Sequence, residues 1–557
     1  MFNRKRLRPF LSLATLTVAV AFLPVQAGTP VSPGAIQDSI QQRPPALPLP
    51  QPVPEPETTD PSLPAAPAGP TVRVDTFSFV GNTVFSDADL AALLANYTGQ
   101  QLSLTQIYAA ADGITQLYRD AGYGLASAVI PAQRLNSGTV RIEIIEGRIG
   151  GVSIAGNERY SFGFLAKRFA SLQPGDLYRN KRMETAVLLL NDLPGLEARA
   201  VIKPGTEYGT SNIAFRVAED RFEGTASLDN YGREELGQIR LTANAFINNP
   251  GGFGDRLNGT VLASEDGLLT YGNIAYGFPV TNNGGRLRFT YNRADYEVEG
   301  DVFAALGIEG DNTTTRVDYI QPISRTRTRN VVFNAAVYSF ETESFIADAL
   351  LPNNATELTL LELGIFTSGL TTSRIGWTFS ALVSGNGKAN ESTVTDIQSD
   401  AQQAKLRLDG SLSLPFGSNW LFYSRATVVH SSDPLVDSQK FSLGGPFSVR
   451  GYFPSELRGD QGAYLGLELR RYFRAGKFPI AATVFVDGGT AKRELLPGED
   501  PSTDVEGELG SAGAGLIFGG ETDRFTGSVV YAAPIDNHTS LNEDDDGHVW
   551  ANVMVRF

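Results

Sequence analysis

Arg450, in the stretch FSLGGPFSVRGY, and Asp487, in FVDGG, are the two residues whose types and setting promise the most specific chemistry. A guanidinium on a loop tip and a carboxylate on a strand can form a charge-assisted, bidentate pair, stronger than a neutral hydrogen bond where water is scarce. Gly451 lets the backbone bend beside the arginine without a Cβ clash, and Tyr452 adds aromatic packing. The alternative leaves Arg450 in solvent and Asp487 at the start of a loop. Other candidates carry less. Glu543 to Asp546 form an acidic run that can chelate a cation, but it lacks EF-hand spacing and reads better as a solvated or lipopolysaccharide-facing loop. His430, His538 and His548 are scattered, so no metal cluster or histidine-based catalysis is predicted. No nucleophile elbow and no phosphate-cradling loop is present, so no catalytic residue, cofactor, metal or nucleotide is expected.

The elements that must hold Arg450 and Asp487 read as a transmembrane barrel. From about residue 221 to 557 there is no long helical pattern, but a succession of segments of about ten residues alternating apolar and polar. Strands are expected to begin near Gly224, Gln238, Arg256, Thr270, Arg286, Thr313, Val331 and Glu357, then near Ser373, Lys405, Trp420, Gly462, Phe478, Ser511, Phe525 and Val549. That makes about sixteen, an even number as single-chain bacterial barrels require. Connections alternate short (NPGGFGD, TNNGGR, FGSN, RAGK) with long, which puts the short turns and both barrel ends in the periplasm. In the last segment, HVWANVMVRF, Val549, Ala551, Val553, Val555 and Phe557 share one face and Trp550, Asn552, Met554 and Arg556 the other, one suited to lipid and one to the lumen.

Ahead of this region, Arg4, Lys5, Arg6 and Arg8 precede an apolar run ending in small residues, a secretory signal peptide over residues 1–27. Residues 28–70 hold a possible short plug helix at 32–42, with Ser32 as N-cap and Pro33 in the first turn, and then a proline-rich, semi-rigid linker. Residues 71–149 and 150–220 each follow a β-α-α-β-β order, an internal repeat of two α+β units. Cysteine is absent, so no disulfide or thiol chemistry is available at an oxidising destination. The net charge of −15 argues against nucleic acid, since phosphate binding needs a basic surface.

With these motifs in view, the chain resembles a known family. Residues 118–150 (YRDAGYGLASAVIPAQRLNSGTVRIEIIEGRIG) resemble the first POTRA domain of two-partner secretion transporters, the TpsB or hemolysin-secretion/activation family, with Pro131, Gln133 and the Glu-Gly-x-Ile of Glu146 to Ile149 in place. Val449, Arg450, Gly451 and Tyr452 are similar to the family's long-loop motif, Phe485, Asp487 and Gly489 to its strand motif, and SLDNYG and NPGGFGDRL to its first strand and first periplasmic turn. The resemblance implies a transmembrane β-barrel of sixteen antiparallel strands in the outer membrane, preceded by two periplasmic α+β POTRA domains, with a long loop folded into the lumen and held there by Arg450 and Asp487. It implies export of an unfolded partner exoprotein, captured by the POTRA domains and energised from outside, and no enzymatic activity. Further partners expected are outer-membrane lipid, lipopolysaccharide and the barrel-assembly machinery, which reads a terminal aromatic such as Phe557. Each POTRA unit should offer an unpaired strand edge beside a helix, where an extended client can add by main-chain hydrogen bonds. The client groove is expected along residues 124–129, at Gly124, Leu125, Ser127 and Val129, beside the helix at 104–118. A barrel-assembly insertase of the same superfamily is the alternative, disfavoured by two rather than several repeats; a passive porin needs no such repeats.

Overall fold

Alternation of inward and outward side chains from residue 222 onward builds a closed antiparallel barrel, the only arrangement of strands that leaves no backbone edge facing lipid. The computed structural model describes residue 35 and residues 71–557, apart from segments at 135–136, 300–306, 347–348, 351–355, 387–390, 393–402, 432, 477, 496–505, 521–523 and 536–546. The predicted signal peptide, the linker and all but one residue of the predicted plug helix lie outside the described residues, as do Glu543 to Asp546.

The periplasmic units come first. Unit one comprises β1 (Thr71–Val74), β2 (Thr76–Val80), α1 (Asp87–Leu93), β3 (Gln100–Ser103), α2 (Leu104–Asp120), β4 (Ser127–Val129) and β5 (Thr139–Ile145). Unit two comprises β6 (Arg148–Ala155), α3 (Phe162–Ala166), α4 (Asn180–Asn191), β7 (Leu196–Pro204) and β8 (Thr210–Glu219). Each has a three-stranded sheet, β2-β5-β4 and β6-β8-β7, with one parallel and one antiparallel pair. The first unit departs from the simple β-α-α-β-β order. The first strand of that order breaks in two at Asp75, whose amide, like that of Thr76, donates to the Gly138 carbonyl, and β1 pairs with the short β3. Separate cores fill the two units, around Leu90, Ile107, Ile114 and Ile142 in one and Leu165, Leu190, Ile213 and Phe215 in the other.

A carboxylate at the end of the last sheet strand fixes each unit in the same way. Glu146 accepts from the amides of Thr83 and Val84 and from the hydroxyls of Thr83 and Tyr118. Glu219 accepts from the amides of Glu158, Arg159 and Tyr160. In both units this loop leads to a serine, Ser86 or Ser161, whose side chain caps the next helix.

The barrel strands are β9 (Phe222–Asp229), β10 (Arg240–Asn248), β11 (Arg256–Ser264), β12 (Leu269–Pro279), β13 (Arg286–Val298), β14 (Ile308–Arg325), β15 (Arg329–Ile346), β16 (Ala349–Leu350), β17 (Thr356–Leu370), β18 (Gly376–Gly385), β19 (Glu391–Ser392) and β20 (Ala404–Phe416). They continue with β21 (Trp420–Ser431), β22 (Phe441–Leu443), β23 (Leu457–Gly459), β24 (Gln461–Ala475), β25 (Phe478–Lys492), β26 (Glu506–Phe518), β27 (Phe525–Pro534) and β28 (His548–Arg556). Sixteen of these form the wall; β16 and β19 are two-residue additions, and β22 pairs with β23 apart from it. Closure runs from β28 to β9, Asn552 opposite Asp229 through Arg556 opposite Thr225, and Phe557 exchanges both backbone hydrogen bonds with Gly224. Outward rows such as Phe289, Val337, Leu361 and Val383 are apolar and exposed, the composition a lipid-facing surface requires.

The second periplasmic unit is seated directly on the barrel turns. Arg325 Nη2 and Nε grip Asp192 at 2.7 and 3.1 Å, and Arg168 donates to the Thr281 carbonyl at 2.6 Å. The backbone of Arg327 donates to Glu184.

Candidate functional site

Residues 433–460 leave the wall between β21 and β24, fold back as the β22–β23 hairpin and occupy one side of the lumen. Their apolar side chains explain why they stay there. Leu443, Val449, Tyr452 and Leu457 are buried with Val429, Tyr464, Ala491 and Leu509 of the wall. At roughly 1.5–3 kcal/mol for each large side chain withdrawn from water, this cluster is a substantial anchor on its own.

Arg450 projects from the loop tip onto β25. Its Nε and Nη2 reach Asp487 Oδ2 and Oδ1 at 2.7 and 3.0 Å, a bidentate pair. Its backbone amide donates to the same carboxylate at 3.3 Å. Arg450 is 8 % exposed and Asp487 1 %, so neither charge has water to replace its partner. The guanidinium carbon sits 3.3 Å from the centroid of the Phe485 ring, a cation–π contact on its remaining face. Gly451 supplies space rather than a bend: a Cβ there would come within 2.7 Å of Ser511 Cβ and 2.9 Å of the Ala533 carbonyl carbon. Gly489 makes room in the same way for Leu443. The structure thus brings together Val449, Arg450, Gly451, Tyr452, Phe485, Asp487 and Gly489.

Four further residues share this site without a signal strong enough to find them in sequence. Glu468 on β24 takes Arg450 Nη1 at 3.3 Å and is itself tied to Arg470 and Thr483, each at 2.7 Å. The Tyr464 hydroxyl donates to Asp487 Oδ1 at 3.1 Å. Trp550, on the last strand, donates its indole N–H to the Arg450 carbonyl at 2.7 Å. Arg233, 1 % exposed in the connection between β9 and β10, donates to the Pro454 carbonyl. Inward parity marks Glu468 and Trp550 as lumenal, but parity does not say what they meet.

The residues of the expected client groove divide. Ser127 and Val129 lie on β4, an edge of its sheet. The amide of Ala128 donates to Thr115 Oγ1 at 2.9 Å, so Ala128 points away from β5, and the alternation of an antiparallel ladder turns Ser127 and Val129 toward it. The outward donor of this short edge is therefore used by the unit's own helix. Gly124 and Leu125 sit at the junction of the two units. A Cβ on Gly124 would come within 2.2 Å of Asn180 Oδ1, and Leu125 packs against the core of the second unit. Arg179 stacks on Tyr123 and donates to its hydroxyl at 2.7 Å across the same junction. On α2, Leu104 and Tyr108 are exposed apolar side chains one turn apart.

The motif residues of the first unit have structural tasks. Gln133 pairs its side-chain amide with both backbone groups of Arg141, each at 2.8 Å, so it acts as an extra strand residue. Burial pushes the Glu146 carboxyl upward, but the hydrogen bonds from Thr83, Val84 and Tyr118 outweigh it and hold the group below its ordinary range.

Comparison with known proteins places this architecture. The family model for the haemolysin secretion/activation protein ShlB/FhaC/HecB matches residues 209–516, and that for the ShlB-type POTRA domain matches residues 72–147. The chain is 25% identical over 485 residues to the heme/hemopexin transporter protein HuxB of Haemophilus influenzae, with 84% of each chain covered. It is 23% identical over 437 residues to the outer membrane transporter CdiB of Dickeya dadantii, with 76% of each covered. Among solved structures, CdiB from Escherichia coli superposes with a TM-score of 0.69 at 23% identity, covering 90% of this chain and 94% of that one. With that family model spanning more than half of the chain and the closed sixteen-stranded barrel in agreement, this chain belongs to the haemolysin secretion/activation protein ShlB/FhaC/HecB family, the outer-membrane transporters of two-partner secretion.

Proposed function

We propose that the Arg450–Asp487 pair is the fastening that keeps residues 433–460 across the lumen, and that its release opens the route taken by the secreted partner. The bidentate, buried contact between a loop tip and a wall strand carries this reading. Removing one member of a buried pair strands the other charge, a loss of about 3–5 kcal/mol. Arg450→Ala should therefore give an inserted barrel that secretes its partner poorly and conducts ions with larger, noisier currents. Normal secretion by that variant, with unchanged currents, removes the fastening from the mechanism.

The partner is read as an extended exoprotein met first by the periplasmic units. Leu104 and Tyr108 on α2 are the surface offered to it, rather than the backbone edge at Ser127 and Val129, whose outward donor is taken by Thr115, with Gly124 and Leu125 fixing how that surface is presented. The cargo assigned here is a secreted partner exoprotein. Exposed apolar rows support contact with membrane lipid; lipopolysaccharide at the outer leaflet and the assembly machinery at Phe557 belong to the same reading. Transport without catalysis by the chain itself completes it.

A further inference from the structure

Closure of the barrel depends on its shortest ladder. β28 and β9 pair from Arg556 opposite Thr225 to Asn552 opposite Asp229, with Phe557 and Gly224 below them, a shorter run than in any other pair of wall strands among the described residues. Above Asp229 the main chain of β9 ends, and the side chain of Asn230 takes over. Its backbone amide donates to the Ala551 carbonyl at 3.2 Å. Its Nδ2 donates to the Val549 carbonyl and its Oδ1 accepts from the Ala551 amide, each at 2.7 Å. A carboxamide offers a donor and an acceptor much as a peptide group does, so it continues the ladder where the main chain has left it. Only one orientation of the group satisfies both partners, since the carbonyl only accepts and the amide only donates.

The residue held between those two contacts is Trp550, whose indole N–H donates to the Arg450 carbonyl at 2.7 Å. The residues that follow Asn230 reach the long loop directly. Tyr231 lies edge-on to both Trp550 and Phe447, with ring centroids 6.1 and 5.4 Å apart. The buried Arg233 donates to the Pro454 carbonyl. Residues 230–233 thus hold the outer end of the seam through Asn230 and the loop through Tyr231 and Arg233.

We propose that Asn230 is a positioning residue that joins the seam and the long loop into one cooperative unit, so that neither loosens alone. If the loop withdraws, the Trp550 indole and Arg233 lose acceptors in a buried setting, a cost that movement of the strand tip toward water relieves. If the Asn230 clasp is lost, residues 549–551 lose their tie to β9, and Trp550 no longer stands where it holds the Arg450 carbonyl. Two sites that share contacts in this way are coupled reciprocally. That a loop displaced by a passing partner loosens the seam in the same step rests on the transport reading above; the coupling itself does not.

Hydrogen exchange on the full-length protein in nanodiscs, with no partner present, tests the coupling in both directions. Asn230→Ala should lower protection of the Ala551 amide roughly fivefold, the loss expected for one hydrogen bond, and should lower it at residues 447–453 as well. Arg450→Ala should lower protection at residues 549–551 in addition to the loop. Protection at residues 225–227, in the inner half of the seam, and in β14 and β15 should stay as in wild type for both variants, which separates coupling from a general weakening of the barrel. Asn230→Asp keeps an acceptor for Ala551 but offers no donor to Val549, so it should give the same pattern at smaller amplitude, and it serves should the alanine variant insert poorly. Loop amides unmoved by either Asn230 variant, residues 549–551 unmoved by Arg450→Ala, or a loss of protection spread evenly over the barrel overturns the proposal. Because exchange is read without a partner, a secretion result bears on the transport reading alone.

Discussion

The indole nitrogen of Trp550, on the strand that closes the barrel, donates to the backbone carbonyl of Arg450 at 2.7 Å, so the loop tip is tied to β28 as well as to β25. Trp550 is 1 % exposed and lies edge-on to Tyr231, with ring centroids 6.1 Å apart. Its N–H has no water to turn to.

Trp550→Phe keeps most of the ring and deletes this one donor. A neutral hydrogen bond contributes about 1 kcal/mol, so the loop should loosen modestly, with noisier single-channel currents and milder loss of secretion than for Arg450→Ala. Currents indistinguishable from wild type show that the indole only fills space.

Arg450→Lys tests geometry against charge. An ammonium is a point charge and cannot reproduce the fork that meets both oxygens of Asp487 while also reaching Glu468. Thermal unfolding of the detergent-solubilised barrel should fall by an amount corresponding to roughly 1–3 kcal/mol, and secretion should remain well below wild type. Full secretion by the lysine variant establishes that charge alone suffices.

Gly124→Ala probes the junction rather than a client contact. The added Cβ collides with Asn180 Oδ1, so the Asn180 side chain must swing out of the junction, and hydrogen exchange should rise modestly at residues 122–124 and 179–180. Adding Asn180→Ala removes the obstacle and should restore both exchange and secretion. If the double variant stays defective in partner binding while exchange recovers, Gly124 touches the client itself.

Glu146 gives the first periplasmic unit an acid sensitivity of known sign. Its carboxyl is depressed in the folded chain relative to about 4.3 in the unfolded one, so the unfolded state binds more protons as pH falls. The stabilisation is complete above the unfolded value and is lost as pH drops through the folded one. Amide protection at residues 83–86 should therefore weaken below about pH 4, and Glu146→Gln should weaken it at neutral pH and flatten that dependence. Unchanged protection in the variant excludes the carboxylate as the loop's anchor.

Much of the barrel was legible residue by residue, because side-chain alternation with a period of two is a local signal. Strands begin where expected at Arg256, Arg286, Trp420, Phe478 and Phe525. Their ends were less legible. The strand expected to begin near Thr313 starts already at Ile308, and β13 runs to Val298, since backbone pairing continues above the apolar band where outward Asp295, Glu309 and Asp311 no longer look like a membrane strand. The opposite charges of Arg450 and Asp487 and the small residues around them were readable as a possible pair. What only the tertiary structure decided is who else meets them: Glu468 and Tyr464 come from β24, the hairpin neighbour of β25, whereas Trp550 and Arg233 arrive from the last strand and the first connection, brought around by closure of the barrel. The same holds for Gly124, whose neighbour Asn180 belongs to another folding unit. Local patterns fix which way a side chain points, whereas the partner it finds depends on closure and docking between segments far apart in the chain, and no local period records those distances.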